Sequence, residues 1–357
     1  MEQNLLSNRP LIYEKDGYIG ISTIDGSPIL LPNQYVMLCM PNGLMPHGCP
    51  VFCEGLVPVS YPDGITGYID EKGTVALPFI YEYAYSFIDG YAVARSNGKW
   101  GMIDRTGHEI VPFAYDMIFY EGLCADDRLG VVRNGKFGYI ALDGTEAIPC
   151  IFDLPIGRCS GEFREGVSPV LYNGEVFFIN PAGERVITTC GRFDYVASFE
   201  QEHAMVIQYK EDHRIYHGYL DRNGSLAVPV QYQQIGCRIS EGVVGVLFNG
   251  RIVYTDMTGH IALKTPYDAV TEFHSHVAWG HKNGYWESFD REGNVLTTNF
   301  HFDRVIPCDG GHWIVWSGEE CRCVDSYGKE LLKPRVVPLC PYLNLGESDW
   351  VLHCLRS

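Results

Sequence analysis

The chain has 357 residues, a formal net charge of −17, 39 Gly and 20 Pro. This acidic balance argues against a nucleic-acid partner or an anionic membrane surface, because phosphate binding needs a surplus of Lys and Arg. It is compatible with a basic protein partner, although an acidic surface that merely keeps the chain soluble is the simpler explanation. The length allows two ordinary domains or one repeat array.

Sustained helical periodicity is missing from the sequence, whereas turn residues and period-2 alternation are frequent, so we expect an all-β chain. The 13 cysteines are odd in number and scattered. The first residues lack the basic and apolar regions of a secretory signal peptide, and no apolar stretch is long enough to span a membrane. We therefore expect a cytoplasmic protein with reduced thiols.

One pattern recurs along the chain, and its clearest copy spans residues 87–116. An Asn-Gly turn, a Lys-Trp-Gly segment, a second turn closed by Gly, a Pro and a Tyr-Asp pair follow one another. The closing Gly recurs 34 to 47 residues apart, at Gly26, Gly73, Gly107, Gly144, Gly183, Gly224, Gly259, Gly293 and Gly328. This spacing predicts nine modules.

Two turns punctuate each module. The first turn pairs Asp or Asn with Gly in seven modules, which predicts type I′ hairpins: Asp16-Gly17, Asp63-Gly64, Asn97-Gly98, Asn134-Gly135, Asn173-Gly174, Asn249-Gly250 and Asn283-Gly284. Three residues before the closing Gly stand Asp70, Asp104, Asp221, Asp256, Asp290 and Asp325, with Asn180 in the same column. We expect these aspartates to hold turn amides, because Asx side chains commonly start turns.

Further columns support the same module. A Gly after the Trp or Phe position, as at Gly101 and Gly138, predicts a close backbone approach or a bulge. Modules end on a Pro and an aromatic–acid pair, as in Pro112 with Tyr115-Asp116 and Pro149 with Phe152-Asp153.

Each module therefore predicts up to four short strands, in the clearest copy at about 91–96, 99–104, 108–113 and 115–120. The predicted fold is an array of about nine antiparallel, three- to four-stranded β-meanders, propeller-like. An open superhelical β-solenoid is the alternative, since nine blades exceed the usual number. We expect one domain over residues 1–357, with an insertion at about 36–50 and a partial terminal repeat at about 348–357.

The segment from Gly98 to Asp104, followed by Gly107, Pro112 and Tyr115-Asp116, resembles the bacterial WG-repeat (KWG-repeat) family. Residues 134–140 repeat it with Phe137 in place of Trp. The modules at 239–268 and 309–335 lack both the Trp and the Gly. The resemblance implies bacterial origin and a binding or scaffolding role, and it carries over no functional residue.

Four groups of chemically capable residues are candidate sites. His47, Cys49 and Cys53 have zinc-ligand chemistry in the first insertion but supply only three ligands. His274 and His276 are expected on one strand face, with His281 past the following strand, which suits metal binding or pH sensing. Cys321 and Cys323 fit buried packing better than a redox pair. The acidic pairs are Asp126-Asp127 and Glu319-Glu320, both beside turn signals.

No catalytic, cofactor or metal residue is assigned on this basis, and metal binding at the first two groups is left open. The sequence favours a non-enzymatic scaffold that binds another protein, with specificity in residues 36–55 and the divergent C-terminal modules. One alternative is an immunity protein that neutralises a basic bacterial toxin or effector. A metal-dependent hydrolase using a propeller face is the other.

Overall fold

The computed structural model describes residues 11–22, 27–36, 52–119, 128–308, 311–318, 320–331 and 335–336. These residues form strands, turns and bends and include no helix. The 33 strands of this part of the chain assemble in sequence order into nine antiparallel sheets. The predicted all-β array of about nine meanders is therefore confirmed.

By compactness the chain divides into two units, and the first comprises Met1–Pro155, Leu171–Gly174 and Pro181–Glu184. Its four complete sheets are sheet 1 with β1 (Leu11–Lys15), β2 (Tyr18–Ser22) and β3 (Pro28–Leu30); sheet 2 with β4 (Leu56–Ser60), β5 (Thr66–Asp70) and β6 (Val75–Tyr81); sheet 3 with β7 (Tyr83–Ala84), β8 (Tyr91–Ser96), β9 (Lys99–Asp104) and β10 (Glu109–Tyr115); and sheet 4 with β11 (Met117–Phe119), β12 (Arg128–Arg133), β13 (Lys136–Ala141) and β14 (Glu146–Phe152).

The second unit comprises Ile156–Val170, Glu175–Asn180 and Arg185–Ser357. The remaining sheets are sheet 5 with β15 (Ser168–Tyr172), β16 (Glu175–Ile179) and β17 (Arg185–Thr188); sheet 6 with β18 (Tyr195–Glu200), β19 (His203–Tyr209), β20 (Ile215–Leu220) and β21 (Leu226–Tyr232); sheet 7 with β22 (Gln234–Ile235), β23 (Val243–Phe248), β24 (Arg251–Asp256) and β25 (Ile261–Lys264); sheet 8 with β26 (Ala269–Val270), β27 (Val277–Lys282), β28 (Tyr285–Asp290) and β29 (Val295–Phe300); and sheet 9 with β30 (Arg304–Cys308), β31 (His312–Ser317), β32 (Glu320–Val324) and β33 (Arg335–Val336).

The boundaries between sheets correct one expectation. The predicted strands at 91–96 and 99–104 match β8 and β9, but the fourth piece of that module, β11, does not pair with β10. It pairs with β12 and so opens the next sheet. Five of the six four-stranded meanders thus begin just after an aromatic–acid pair, and sheet 7 begins after Tyr232-Gln233 instead.

The hairpin prediction is confirmed in six of its seven turns. Both central residues have left-handed φ at Asp16-Gly17, Asn97-Gly98, Asn134-Gly135, Asn173-Gly174, Asn249-Gly250 and Asn283-Gly284. The prediction is wrong at Asp63-Gly64, where only Gly64 has a positive φ. There Tyr61 N–H donates to Ile65 and Gly64 N–H to Tyr61, at 2.9 and 2.8 Å, which closes a longer loop.

The hydrophobic core lies between neighbouring sheets. In the first unit, Val93 and Met102 of sheet 3 pack in one cluster with Leu129 and Ile140 of sheet 4. In the second unit, the cluster around Trp279 of sheet 8 includes Trp313 of sheet 9. A single meander cannot bury its own apolar faces, so each sheet buries them against neighbouring sheets, as the sequence repeat led us to expect.

Four buried tryptophans in sheets 8 and 9 differ in their indole hydrogen bonds. Trp286 Nε1 donates to the Phe302 carbonyl at 2.9 Å. For Trp279, Trp313 and Trp316, none of the described residues accepts a hydrogen bond from Nε1, although each residue is 0% exposed. A buried donor without an acceptor is costly, so these indoles reduce the stability gained from their packing.

The closing glycines also serve the contact between modules. The closing turn of one module packs on the last strand of the module before it, as at Gly73 on Leu30, Gly107 on Leu77, Gly183 on Ile148, Gly259 on Pro229 and Gly293 on Leu263. At Gly144 a Cβ atom would stand 2.5 Å from the carbonyl oxygen of Ile110, and φ is +83°. Glycine is therefore required there for two separate reasons.

Some predictions fall outside the described residues. These are most of the insertion at 36–50, the partial repeat at 348–357 and the acidic pair Asp126-Asp127. A single domain over 1–357, and the choice between a propeller-like array and an open superhelical β-solenoid, stay predictions. In the described part of the chain, no helix is long and apolar enough to cross a membrane.

Candidate functional site

The six turn aspartates hold their own turns. Each carboxylate accepts hydrogen bonds from the backbone amides two and four residues later, at 2.8–3.1 Å: Asp70, Asp104, Asp221, Asp256, Asp290 and Asp325. Hydrogen bonds from the Thr106 hydroxyl and the following amides lower the pKa of Asp104. The Asn294 side chain does the same to the pKa of Asp290. The predicted structural role is confirmed.

In sheet 4, Ala141 stands where the other modules have the turn Asp, three residues before the closing Gly. A different carboxylate holds this turn. Asp143, two residues later, accepts hydrogen bonds from the Thr145 amide at 3.0 Å and the Thr145 hydroxyl at 2.7 Å. These bonds, with the amide contributing most, lower the pKa of Asp143. Sequence reasoning missed this replacement because it aligned the turns on a single column.

The aromatic–acid pairs join successive modules. Asp116 accepts a hydrogen bond from the Gly135 amide of the next hairpin at 3.3 Å and lies 2.5 Å from Lys99 Nζ of its own module. Glu82 and Asp303 accept from the hairpin amides of Gly98 and Gly318, at 2.9 and 2.6 Å. The Lys of the Lys-Trp-Gly segment therefore forms an ion pair with the acid that ends its module, and that acid also binds the hairpin of the next module.

A second set of carboxylates, which we call the junction carboxylates, was not found from sequence. Glu54, Glu165 and Glu241 lie in the turns just before β4, β15 and β23 and each accept a hydrogen bond from a backbone amide of the next module. The donors are the amides of Gly90, Glu202 and His276, at 3.0, 3.1 and 3.0 Å.

An arginine from the closing turn of the next module completes each junction. Arg222 lies 2.6 Å from Glu165 and 3.0 Å from Glu202, with its guanidinium 4.3 Å from the centre of the Phe199 ring. Arg105 and Arg291 lie 3.9 Å from Glu54 and Glu241. The junction carboxylates thus serve the stacking of modules.

The predicted strand-face pair His274 and His276 is wrong. Both lie in the tight turn before β27, where His276 has a φ of 65°. The His276 ring stands 3.2 Å from Glu241, whereas His274 Nε2 accepts a hydrogen bond from the Gly311 amide at 3.2 Å. His281 lies within β27 and its ring is 2.6 Å from Asp268. Each ring therefore has a different partner.

The other predicted groups are only partly described. Cys53 is half-buried, and burial is the main cause that raises the pKa of its thiol; His47 and Cys49 lie outside the described residues. Cys323 is buried, in line with packing, while nothing is described of the Cys321 side chain or of Glu319. Among the described residues no group of three or more His, Cys, Asp or Glu side chains could hold a metal ion.

A cleft of about 300 Å³ lies between sheets 6 and 7 of the second unit. Its apolar lining comes from Ala197, Met205, Tyr219, Ile235 and Ile239, and its charged residues are Glu200 and Arg238. No run of sequence predicts this cleft, because its walls come from two modules.

Two polar side chains of the cleft lining, those of Ser198 and Cys237, already have hydrogen-bond partners. Ser198 Oγ donates to the Glu162 carbonyl at 2.6 Å and lies 2.7 Å from Ser160 Oγ. Cys237 Sγ accepts a hydrogen bond from the Gly245 amide at 3.1 Å. Burial raises the pKa of Cys237 to about 12, so its thiol is protonated and a poor nucleophile near neutral pH.

The charged side of the cleft is formed by Glu200 and Arg238. Arg238 and Glu200 stand 4.0 Å apart, and their side chains are 49% and 41% exposed. Glu272 interacts with both Arg238 and Glu200, and burial is the main cause that raises its pKa. Because burial disfavours the charged form of Glu272, the charged groups of the cleft lining are one carboxylate, Glu200, and one guanidinium, Arg238.

Comparison with protein families gives matches to the WG containing repeat at residues 67–100 and 100–136. The chain contains WG repeats. These WG repeats run from β5 to β13 and include the Trp100-Gly101 pair that carried the resemblance. No curated protein sequence matches the chain significantly.

Several solved structures resemble the fold of this chain. A crystal structure described as the eukaryotic initiation factor aligns with 78% of this chain and 83% of its own, with a TM-score of 0.50 and 12% identity. Apo AztD from Citrobacter koseri aligns with 82% of this chain and 93% of its own, with a TM-score of 0.38 and 11% identity. These neighbours are propeller-like. At such identity the first likeness concerns the fold alone, and the second carries no argument.

Proposed function

We propose that this chain is a non-enzymatic repeat scaffold whose partner is another protein. The observation that carries the proposal is an aliphatic side chain exposed at the same position of successive modules, two residues after the closing Gly. In sheets 6, 7 and 8 of the second unit these residues are Leu226, Ile261 and Val295, which are 43%, 40% and 48% exposed. Repeated apolar positions on consecutive modules suit an extended protein partner.

Two further features support a binding role over catalysis. The turn and junction carboxylates are occupied in holding backbone amides and arginines, which leaves them poorly placed to act as acids or bases. The described thiols with shifted pKa values are shifted upwards, as in Cys159, whose pKa burial raises to about 12. The hydrolase alternative has no comparable support.

The net charge of −17 favours a basic partner, because opposed charges raise the association rate. An immunity protein that neutralises a basic toxin is the narrower form of this proposal, and the acidic charge is what favours it. Bacterial origin and a cytoplasmic location stay predictions.

The test is affinity purification from the native host with the full chain as bait, followed by mass spectrometry and reconstitution of the recovered partner. We expect the triple variant L226S/I261S/V295S to weaken the reconstituted complex by about tenfold or more, since apolar contacts at a protein interface are lost. The variant E109S is the matched control, because Glu109 occupies the same position in sheet 3 and is exposed. Equal affinity of the triple variant would refute the proposed surface.

A further inference from the structure

We propose that β29 (Val295–Phe300), the last strand of sheet 8, accepts an extended basic segment of the partner protein as an added strand. This inference rests on the proposed function and names the way in which the partner binds. Its basis is the composition of the last strand of each sheet, which forms one edge of that sheet. Among the nine described sheets, β29 is the one last strand with neither a proline nor a charged residue.

The other last strands carry residues that hinder the addition of a strand. Proline has no amide hydrogen to donate to a new neighbour, and a charged side chain opposes pairing at an edge. Four last strands have a proline five residues after the closing Gly: Pro78, Pro112, Pro149 and Pro229. The remaining four contain Pro28, Arg185, Lys264 or Arg335. In β29 the position five residues after the closing Gly is Thr298, so this protection is missing from sheet 8.

The position and composition of β29 suit an added strand. Its sequence, VLTTNF, contains β-branched and aromatic residues that favour extended structure. Within the described part of the chain β29 pairs with β28 alone, and it is the edge of sheet 8. The backbone groups of an edge strand pair along their length only with another extended segment. Val295, at the start of β29, is exposed and lies where it would contact side chains of that segment.

Charge decides which extended segment fits. The turn before β29 holds the carboxylates of Asp290 and Glu292, and Glu292 is exposed. Arg291 between them lies 3.9 Å from Glu241, and His301, after the strand, lies against a tyrosine ring with 4.2 Å between ring centres. A second copy of the chain would bring the same carboxylates and a net charge of −17 to this edge. A basic segment is therefore favoured over a copy of this chain.

The experiment titrates the full chain into fluorescein-labelled peptide amides and follows the anisotropy. The probes are Lys-Val-Thr-Val-Lys-Val, its analogue with Glu in place of both Lys, and two N-methylated forms of the lysine peptide, one for each set of alternate amides. We expect the lysine peptide to bind with a Kd of roughly 0.1 mM and the glutamate analogue several-fold more weakly. At least one methylated form should not bind, because its methyl groups occupy the edge that faces β29. Hydrogen exchange in residues 295–300 should slow when the lysine peptide is bound.

One substitution closes the edge in the way that the other sheets do. T298P introduces the proline that four sheets hold at this position, so we expect the fold to tolerate it. It should weaken binding of the lysine peptide by about tenfold or more, roughly the effect of one lost backbone hydrogen bond. T298S is the matched control and should bind as the unchanged chain does. The methylated peptides need no variant, so that part of the test does not depend on the folding of T298P.

Equal binding of the lysine peptide by T298P, equal binding of both methylated peptides, or unchanged exchange in residues 295–300 would overturn strand addition at β29. Equal binding of the glutamate analogue would overturn the choice of a basic segment. A dimer of the full chain in analytical ultracentrifugation that dissociates in T298P would assign the edge to a second copy and overturn the proposal. The titration needs no partner protein, so its failure is distinguishable from failure of the proposed function. A partner that loses affinity in L226S/I261S/V295S but not in T298P would leave the scaffold proposal intact and remove strand addition.

Discussion

Two glycines of sheet 4 provide a matched test of how the modules stack. Gly144 and Gly135 both have left-handed φ, +83° and +71°. A Cβ at Gly144 would stand 2.5 Å from the Ile110 carbonyl oxygen of the preceding module, whereas a Cβ at Gly135 meets nothing within 4 Å. The two Gly→Ala variants therefore share the backbone strain and differ in the contact between modules.

The left-handed conformation costs an alanine about 1–2 kcal/mol, partly offset by about 0.4–1 kcal/mol from the reduced entropy of the unfolded chain. We expect G135A to lose about 1 kcal/mol. G144A should lose a further 1–3 kcal/mol, roughly the cost of forcing an atom into a packed contact against backbone.

Differential scanning calorimetry measures the difference, because it resolves transitions of units that melt separately. Each kcal/mol corresponds to about 2–4 °C for a unit of this size. The melting temperature of G144A should therefore lie several degrees below that of G135A. Equal destabilisation would refute the claim that the closing turn packs on the preceding module.

Three other variants or conditions follow from the described contacts. W279F and W286F should both lose stability because a smaller ring leaves a cavity, but W286F should lose about 1 kcal/mol more with its hydrogen bond, as urea unfolding would show; an equal or reversed loss would contradict the hydrogen-bond assignment. Because the folded-state pKa values of Asp104 and Asp290 are lowered, their stabilisation is complete above an unfolded pKa of about 3.9 and is lost as pH falls through the folded values. In thermal scans at pH values below about 4, the melting temperature should decrease as the pH is lowered, and it should decrease less steeply in D104N/D290N. An equal slope in the two proteins would contradict a role for these carboxylates. R222M should destabilise the second unit by about 1–2 kcal/mol in calorimetry, and an unchanged melting temperature would exclude a role for that junction.

Much of the local structure was predictable because its causes are local. Alternation and an Asn-Gly turn placed β8 and β9, and Asp104 holds its turn through amides within four residues. The exception at Asp63-Gly64 also had a signal, since Pro62 fixes φ ahead of it and favours a Pro-Asp-Gly loop over a two-residue turn.

The contacts between modules were not predictable in the same way. The carboxylate of Glu165 meets an arginine 57 residues later, at Arg222, and no spacing rule within a module points to that pair. The pairing of β11 with the next sheet was not predictable for the same reason, because an alternating pattern predicts a strand but not the strand with which it pairs. The sequence did contain one signal for the junction carboxylates, an acidic residue that recurs directly before a Gly: Glu54-Gly55, Glu165-Gly166 and Glu241-Gly242.

The central claim is that the array binds a basic protein through its exposed aliphatic positions. Isothermal titration of the reconstituted partner against the full chain and L226S/I261S/V295S, at two salt concentrations, tests it most directly. The account predicts that salt weakens binding to both chains, since the partner is basic, and that the triple variant binds about tenfold more weakly at either salt. Salt-independent binding, or equal affinities of the two chains, would contradict it.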